Sequence, residues 1–285
     1  MTAQVVQTEA GAIEYSDFGE GPVVVAIHGA LGGWDQGAIL ARCAVPAGCR
    51  VIAVSRPGYL GTPLVSGETP ERQGDLVAAL LKRLGIGRAA VVAISGGGPC
   101  ALAFALRYPR RCAGLVLIST CSVRNTARVP FAFHVLKRAM RLPWLFGWLG
   151  RRSLANPARS LARAVADPGQ RRRLLDDPER RALYRALLAS SFNRPARRLP
   201  GTENDISMTR VTELPIEEIQ SPTLVVHGTA DRVTPFAVHV PPFAARIPGV
   251  RVVAIEGGEH VALFTHLDRV RREVAAFLEG VFAGV

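Results

Sequence analysis

Apolar and polar positions along this chain follow two rhythms. Short continuous apolar runs, Val23–Ile27, Val51–Val54, Ala89–Ile94, Gly114–Ser119, Thr223–Gly228 and Val250–Ile255, are bounded by turn residues. Runs of that kind suit strands buried on both faces of a parallel sheet. Ahead of them, Val5–Thr8 and Ala12–Ser16 flank the gap Glu9-Ala10-Gly11, which predicts an antiparallel hairpin at a sheet edge. Between strands the period lengthens to that of a helix. Leu76, Val77, Leu80, Leu81 and Leu84 share one face of a helix predicted over Thr69–Leu84. Another helix is expected over Cys100–Leu106, and a last one over Leu267–Phe282 with Val270, Val274, Phe277 and Leu278 inward. Strand alternating with helix predicts an α/β fold built on a right-handed, doubly wound, mostly parallel sheet.

From Ser122 to about Ile219 the strand rhythm disappears. This stretch is punctuated by Pro130, Pro143, Pro157, Pro168, Pro178, Pro195 and Pro200, with short helical patterns between them. The expected organisation is a core of residues 1–121 and 220–285 interrupted by a helical insert at 122–219.

Charge changes this picture only locally. The chain of 285 residues carries a net charge of +12, and its only lysines are Lys82 and Lys137. An arginine bias alongside abundant Ala and Gly fits compositional drift better than selection for phosphate contacts. The insert nonetheless holds 19 basic against 9 acidic residues, a surplus that suits a solvated helical surface or weak contact with an anionic membrane. No nucleic-acid-binding module is matched. No apolar run reaches the roughly 18 residues of a membrane span, and the N-terminus lacks the pattern of a secretory signal. Five cysteines, Cys43, Cys49, Cys100, Cys112 and Cys121, have no metal-ligand spacing and are odd in number. They read as buried thiols of a cytoplasmic protein. Neither a metal nor a cofactor is expected.

The candidate chemistry begins at Val91-Val92-Ala93-Ile94-Ser95-Gly96-Gly97-Gly98-Pro99. An apolar strand stops at a serine, and a helical pattern starts after three glycines. A strand–turn–helix of that tightness holds its serine at strained dihedrals with the hydroxyl outward. Positions two before and two after must be small, and here they are Ala93 and Gly97. A phosphate loop is the other use of a glycine-rich turn before a helix, but its Lys-Ser/Thr ending is absent. Ser95 therefore reads as a nucleophile. A serine hydroxyl needs a base, and the base needs a carboxylate to orient it. Asp231 follows the strand ending at Gly228, and His260 follows the strand ending at Ile255. Both positions, like Ser95, fall past carboxyl ends of strands, where open parallel sheets place their sites.

Four motifs in order, His28-Gly29, Ala93-Ile94-Ser95-Gly96-Gly97, His227-Gly228-x-x-Asp231 and Gly258-Glu259-His260, make the chain resemble the α/β-hydrolase fold family, in its capped, esterase and C–C hydrolase-like form. The resemblance covers Val23–Ser119 and Thr223–Phe282. It implies that Ser95 is the nucleophile, His260 the general base and acid, and Asp231 its orienter. It implies an oxyanion hole of two backbone N–H groups, from Gly96 and from Ala30, with Leu31 the alternative to Ala30. His28 is expected to order that loop rather than act as a second base. His134, His239 and His266 read as surface or packing residues. Asp205, in the insert, is the other candidate acid. Arg56-Pro57-Gly58-Tyr59 resembles the Arg-x-Gly turn of the family, whose role is structural.

The resemblance makes the insert a cap over the nucleophile, with Trp34, Phe131, Trp144 and Trp148 as expected walls of the substrate site. The function it implies is a cofactor-free serine hydrolase acting on a small, mostly apolar carboxylic ester or related carbonyl compound. The alternatives on the same triad are a haloperoxidase-like perhydrolase, a C–C bond hydrolase, or a ligand-binding protein without turnover.

Overall fold

The computed structural model describes residues 1–122, 124, 135, 137, 138 and 142–283. Its eight strands are β1 (Gln4–Thr8), β2 (Gly11–Phe18), β3 (Val23–Ile27), β4 (Arg50–Val54), β5 (Ala89–Ile94), β6 (Cys112–Ile118), β7 (Thr223–Gly228) and β8 (Arg251–Ile255). They form one sheet in the order β1-β2-β4-β3-β5-β6-β7-β8. The hairpin β1–β2 is antiparallel and joins β4 antiparallel at one edge, and all other pairs are parallel.

The continuous apolar runs have the expected cause. Alternate residues of each central strand enter two different cores: Val25, Ile27, Val91, Ala93, Leu115 and Leu117 face one layer of helices, while Val24, Val92, Val116 and Ile118 face the other. The first layer holds α2 (Pro70–Arg83), α3 (Gly98–Arg107) and α9 (Phe236–Arg246). The second holds α1 (Trp34–Ala44) and α11 (Leu267–Ala283), with the short α10 (Ala262–Thr265) beside them. The helix predicted over Thr69–Leu84 is α2 with both caps included: Thr69 Oγ1 accepts from the Arg72 N–H at 3.4 Å, and Leu84 is the C-cap.

Helix α1 is absent from the sequence-based expectations. Eight of its residues are buried, including Gln36 and Gly37, so apolar residues alone do not mark its buried face.

Between β6 and β7 the described residues hold helices and no strand. These are α4 (Pro143–Ala155), α5 (Pro157–Ala164), α6 (Pro168–Asp176), α7 (Pro178–Phe192) and α8 (Leu199–Val211). The prolines open these helices rather than break them. Pro157, Pro168 and Pro178 sit in first turns behind the N-caps Asn156, Asp167 and Asp177, each of which accepts a backbone N–H. The insert is continuous with the second core through Leu161, Leu174, Leu183 and Tyr184, and the Tyr184 ring meets Phe264 edge-on at 6.1 Å. Among the described residues no helix is long and apolar enough to cross a membrane.

After β3 the chain steps outward to β4 and returns across the sheet to β5, so connections diverge between the carboxyl ends of β3 and β5. A crevice opens at such a divergence. His28-Gly29 leaves one of its walls and Ser95 the other.

Candidate active site

Ser95 follows β5 and begins a single helical turn leading into α3. Its φ is +51°, a left-handed conformation that costs a non-glycine residue free energy. The strain is held from both sides. Thr120 Oγ1 donates to the Ser95 carbonyl at 2.6 Å. On the far side, a Cβ at position 97 would lie 2.6 Å from the His28 carbonyl oxygen and 2.9 Å from that of Ile27, so the turn closes only around Gly97.

The structure brings the three residues past the strand ends together. Ser95 Oγ lies 3.0 Å from His260 Nε2, and His260 Nδ1 lies 2.8 Å from Asp231 Oδ2. The imidazole thus donates from Nδ1 to the carboxylate and offers Nε2 to the hydroxyl. Burial rises along this line: the His260 side chain is 22% exposed and that of Asp231 0%, so His260 meets the cavity and Asp231 does not.

Asp231 is densely held. Its Oδ1 accepts from the N–H groups of Val233 and Thr234 at 2.8 and 3.0 Å, and its Oδ2 accepts from Thr234 Oγ1 at 2.9 Å. Burial alone would raise the carboxyl pKa. Hydrogen bonding from His227 and His260, the charge of His260 and the Thr234 N–H outweigh it, and hold the group well below the usual carboxylate range. His227, 3.5 Å from Oδ2 and fully buried, is a contact that motif reading did not single out. It was legible only as the residue before Gly228.

The loop after β3 is equally constrained. His28 Nε2 accepts from the Arg56 N–H at 3.0 Å, so its proton sits on Nδ1, which donates to the Gly29 carbonyl at 2.6 Å. Burial, and then the Arg56 charge, push its pKa well below the usual value. A neutral, fully engaged imidazole orders the loop and is not placed to take a proton from substrate. The Leu31 N–H donates to Thr202 Oγ1 at 3.0 Å. Of the two candidate donors from this loop, Leu31 is therefore occupied. Ala30 N lies 3.4 Å from where a Cβ on Gly96 would stand, which puts both proposed oxyanion donors side by side.

Asp205, the other candidate acid, is engaged elsewhere, although its Oδ2 stands 3.2 Å from where a Cβ on Gly96 would lie. It pairs with Arg56 through both carboxylate oxygens and accepts from Tyr59 Oη at 2.6 Å.

A cavity of about 240 Å³ opens on Ser95 and His260. Ile39 and Leu40 of α1, Leu187 of α7, and Val261, Leu263 and Phe264 supply its apolar walls, with Gln36 as a polar group. The tryptophans expected there do not line it. Trp34 packs on the Ala26, Ala38 and Ala53 cluster behind the sheet edge. Trp144 and Trp148 stand 71% and 47% exposed on the outer face of α4, because that helix turns Phe146 inward toward Leu31 and Phe192 instead. Phe131 lies outside the described residues, as does His134. Among the described residues no cluster of His, Cys, Asp and Glu could hold a metal ion. Burial pushes the thiols of Cys43 and Cys100 up to about 12 and that of Cys112 to about 11, which suits inert buried residues.

Fold, strand-end turn and crevice together define a class. The chain belongs to the alpha/beta hydrolase fold family, whose profile matches residues 22–267, and it is an enzyme of that family, a hydrolase. It is 29% identical to a pimeloyl-[acyl-carrier protein] methyl ester esterase of Aromatoleum aromaticum, over 84% of this chain and 90% of that protein. It is 28% identical to a 2-hydroxy-6-oxononadienedioate/2-hydroxy-6-oxononatrienedioate hydrolase of Burkholderia vietnamiensis, over 93% of this chain and 90% of the other. Among solved structures, an alpha/beta hydrolase fold protein from Nakamurella multipartita superposes with a TM-score of 0.86 at 32% identity, covering 97% of this chain and 99% of that one.

Proposed function

We propose that this protein is a serine esterase that transfers a small, mostly apolar acyl group from an ester to water. The observation that carries the reading is the hydrogen-bonded line Ser95–His260–Asp231, at 3.0 and 2.8 Å, with its serine end at the mouth of an apolar cavity. In this mechanism the Ser95 hydroxyl attacks the ester carbonyl while His260 Nε2 takes its proton. Negative charge gathers on the former carbonyl oxygen, held by the N–H groups of Ala30 and Gly96. The tetrahedral adduct collapses as His260 returns the proton to the departing alkoxide, which leaves as the alcohol. Water then attacks the acyl-enzyme with His260 again as base, and the acid is released with Ser95 restored. Asp231 keeps the imidazole in the tautomer that both halves require.

Breaking a C–C bond beside a ketone is the second reading, favoured by relatives named as oxo-dienedioate hydrolases. The lining of the cavity favours the ester. Among the described residues that form it there is no arginine or lysine to meet a substrate carboxylate, and an anion desolvated without a partner is costly. Hydrolysis of p-nitrophenyl esters of rising acyl length, beside a 2-hydroxy-6-oxo-dienoate, separates the two. We expect kcat/KM for the best ester to exceed that for the dienoate at least 100-fold; the reverse ranking would select the C–C hydrolase.

The basic insert supports one further property, weak contact with an anionic membrane surface. Leu142, ahead of α4, and Trp144 and Trp148 on it are exposed, and the Arg152 guanidinium lies 5.4 Å over the Trp148 ring. Tryptophan beside arginine suits an anionic lipid interface. A Trp144→Ala, Trp148→Ala double variant is expected to sediment several-fold less with phosphatidylglycerol-containing vesicles, while its turnover of a short soluble ester stays within twofold. Equal sedimentation of variant and parent would remove the membrane from the account.

A further inference from the structure

Three residues of the insert grip the loop after β3. Arg198, Thr202 and Asp205 recur at the spacing that puts side chains on one face of a helix, at the start of α8, and all three are buried. Arg198 Nη1 donates to the Leu31 carbonyl at 3.4 Å, and the Leu31 N–H donates to Thr202 Oγ1. Asp205 meets Arg56 Nη1 at 2.6 Å and Nη2 at 2.5 Å. Arg56 in turn donates from Nε to the His28 carbonyl at 3.1 Å and from Nη2 to the Gly29 carbonyl at 3.3 Å. The backbone approach is close enough that the Gly201 N–H donates to the Gly58 carbonyl at 2.9 Å, and a Cβ on Gly201 would stand 2.3 Å from the Tyr59 ring.

The important peptide is the one between Gly29 and Ala30. In a trans peptide the carbonyl and the N–H point in opposite directions. The Gly29 carbonyl is drawn to one side by His28 Nδ1–H and Arg56 Nη2–H. The Ala30 N–H then lies on the opposite side of that peptide, and its nitrogen stands 3.4 Å from where a Cβ on Gly96 would lie, a point that Asp205 Oδ2 approaches to 3.2 Å. We propose that Asp205, carried by the insert, is a positioning residue for the oxyanion hole: it orients the Arg56 guanidinium, which holds the Gly29 carbonyl and so aims the Ala30 N–H. This rests on the acyl-transfer reading above.

The consequence is specific to the transition state. Ground-state ester places little charge on its carbonyl oxygen, whereas the tetrahedral adduct places a full one there. Without the second carboxylate oxygen the guanidinium loses a charge-assisted hydrogen bond, Tyr59 loses its acceptor, and the Gly29 carbonyl is left held chiefly by the His28 Nδ1–H.

Asp205→Asn is the first test. We expect kcat on a p-nitrophenyl ester to fall about 30-fold, short of the 10²–10³-fold typical when a donor is deleted, with KM within twofold. Affinity for a trifluoromethyl ketone, whose serine adduct carries the same oxyanion, should fall in parallel. A residue that only stabilised the fold would not separate inhibitor affinity from KM. Because a lone buried arginine can prevent folding, the second test pairs Arg56→Met with Asp205→Leu. If Asp205 acts through Arg56, the double variant turns over no more slowly than Arg56→Met alone, and independent, multiplying losses would overturn the proposal. Wild-type kcat and inhibitor affinity in Asp205→Asn, or a rise in KM alone, would also overturn it while leaving the esterase reading intact. An inactive wild type that carries no fluorophosphonate label on Ser95 would sink both together.

Discussion

Ser95→Ala is expected to lower ester turnover by at least about 10⁴-fold, and to abolish fluorophosphonate labelling, with the fold intact. The expected size follows from the division of labour in a triad, whose members act as a unit: without the nucleophile, base and carboxylate have nothing to activate. What survives is the acceleration from binding and the oxyanion donors alone. The substitution removes one oxygen from a half-buried position and leaves His260 Nε2 facing the cavity. The hydrogen bond lost is the one to His260 Nε2, which the cavity leaves open to water, and alanine adopts the φ of +51° at a cost comparable to that of serine. Unfolding free energy should therefore change by no more than about 0.5 kcal/mol. The measurements are p-nitrophenyl ester kinetics, intact-mass detection of the labelled protein, and a thermal melt. Equal turnover and equal labelling of parent and variant would remove Ser95 from the mechanism.

Asp231→Asn is expected to lower kcat by about 10⁴-fold while leaving KM nearly unchanged. The loss has a stated cause. An asparagine can present its amide N–H₂ to His260 Nδ1, where the carboxylate only accepts. The imidazole then places its proton on Nε2, facing the serine hydroxyl it should deprotonate. A second readout comes from acid. The Asp231 carboxyl sits well below the usual carboxylate range in the folded protein, against about 3.9 in an unfolded chain. A depressed folded pKa contributes stability that is fully present above the unfolded value and is lost as pH falls through the folded one. The parent should therefore lose stability below about pH 4 more steeply than Asp231→Asn, and chemical denaturation at pH 3 and pH 6 measures the difference. At neutral pH the carboxylate is charged throughout, so no limb of the activity profile near neutrality belongs to Asp231. Identical acid slopes in the two proteins would contradict this.

The strands were readable because burial on both faces leaves a continuous apolar run between turn residues. The ends of those strands then place Ser95, Asp231 and His260 at one edge of the sheet before any contact is known. Helix α1 was not readable for a complementary reason: Gln36 and Gly37 are buried along with its apolar residues, so the buried face is not marked by apolar residues alone. The cavity walls were lost with it, since Ile39 and Leu40 belong to α1 and carry no motif. Aromatic content in the insert showed that α4 has an apolar side but not which residues form its inner face. Phe146 turned in, and Trp144 and Trp148 turned out. Asp205 could be recognised as an acid near chemistry. Its partner could not, because Arg56 lies 149 positions earlier and no local pattern joins them.

The attachment of α8 to the turns after β3 and β4 sets where this enzyme can be recombined. By sequence, α8 falls inside the helical insert between β6 and β7; by its contacts, its first two turns belong with the scaffold. A chimera that imports another protein's helices in place of α4 through α7, whose role at the cavity is carried among the described residues by Leu187, must keep apolar residues where Leu161, Leu174, Leu183 and Tyr184 enter the second core. The downstream crossover must fall before Arg198. A graft that runs on to residue 219 also removes Thr202 and Asp205, and leaves the recipient scaffold with a buried guanidinium that has lost its counter-ion.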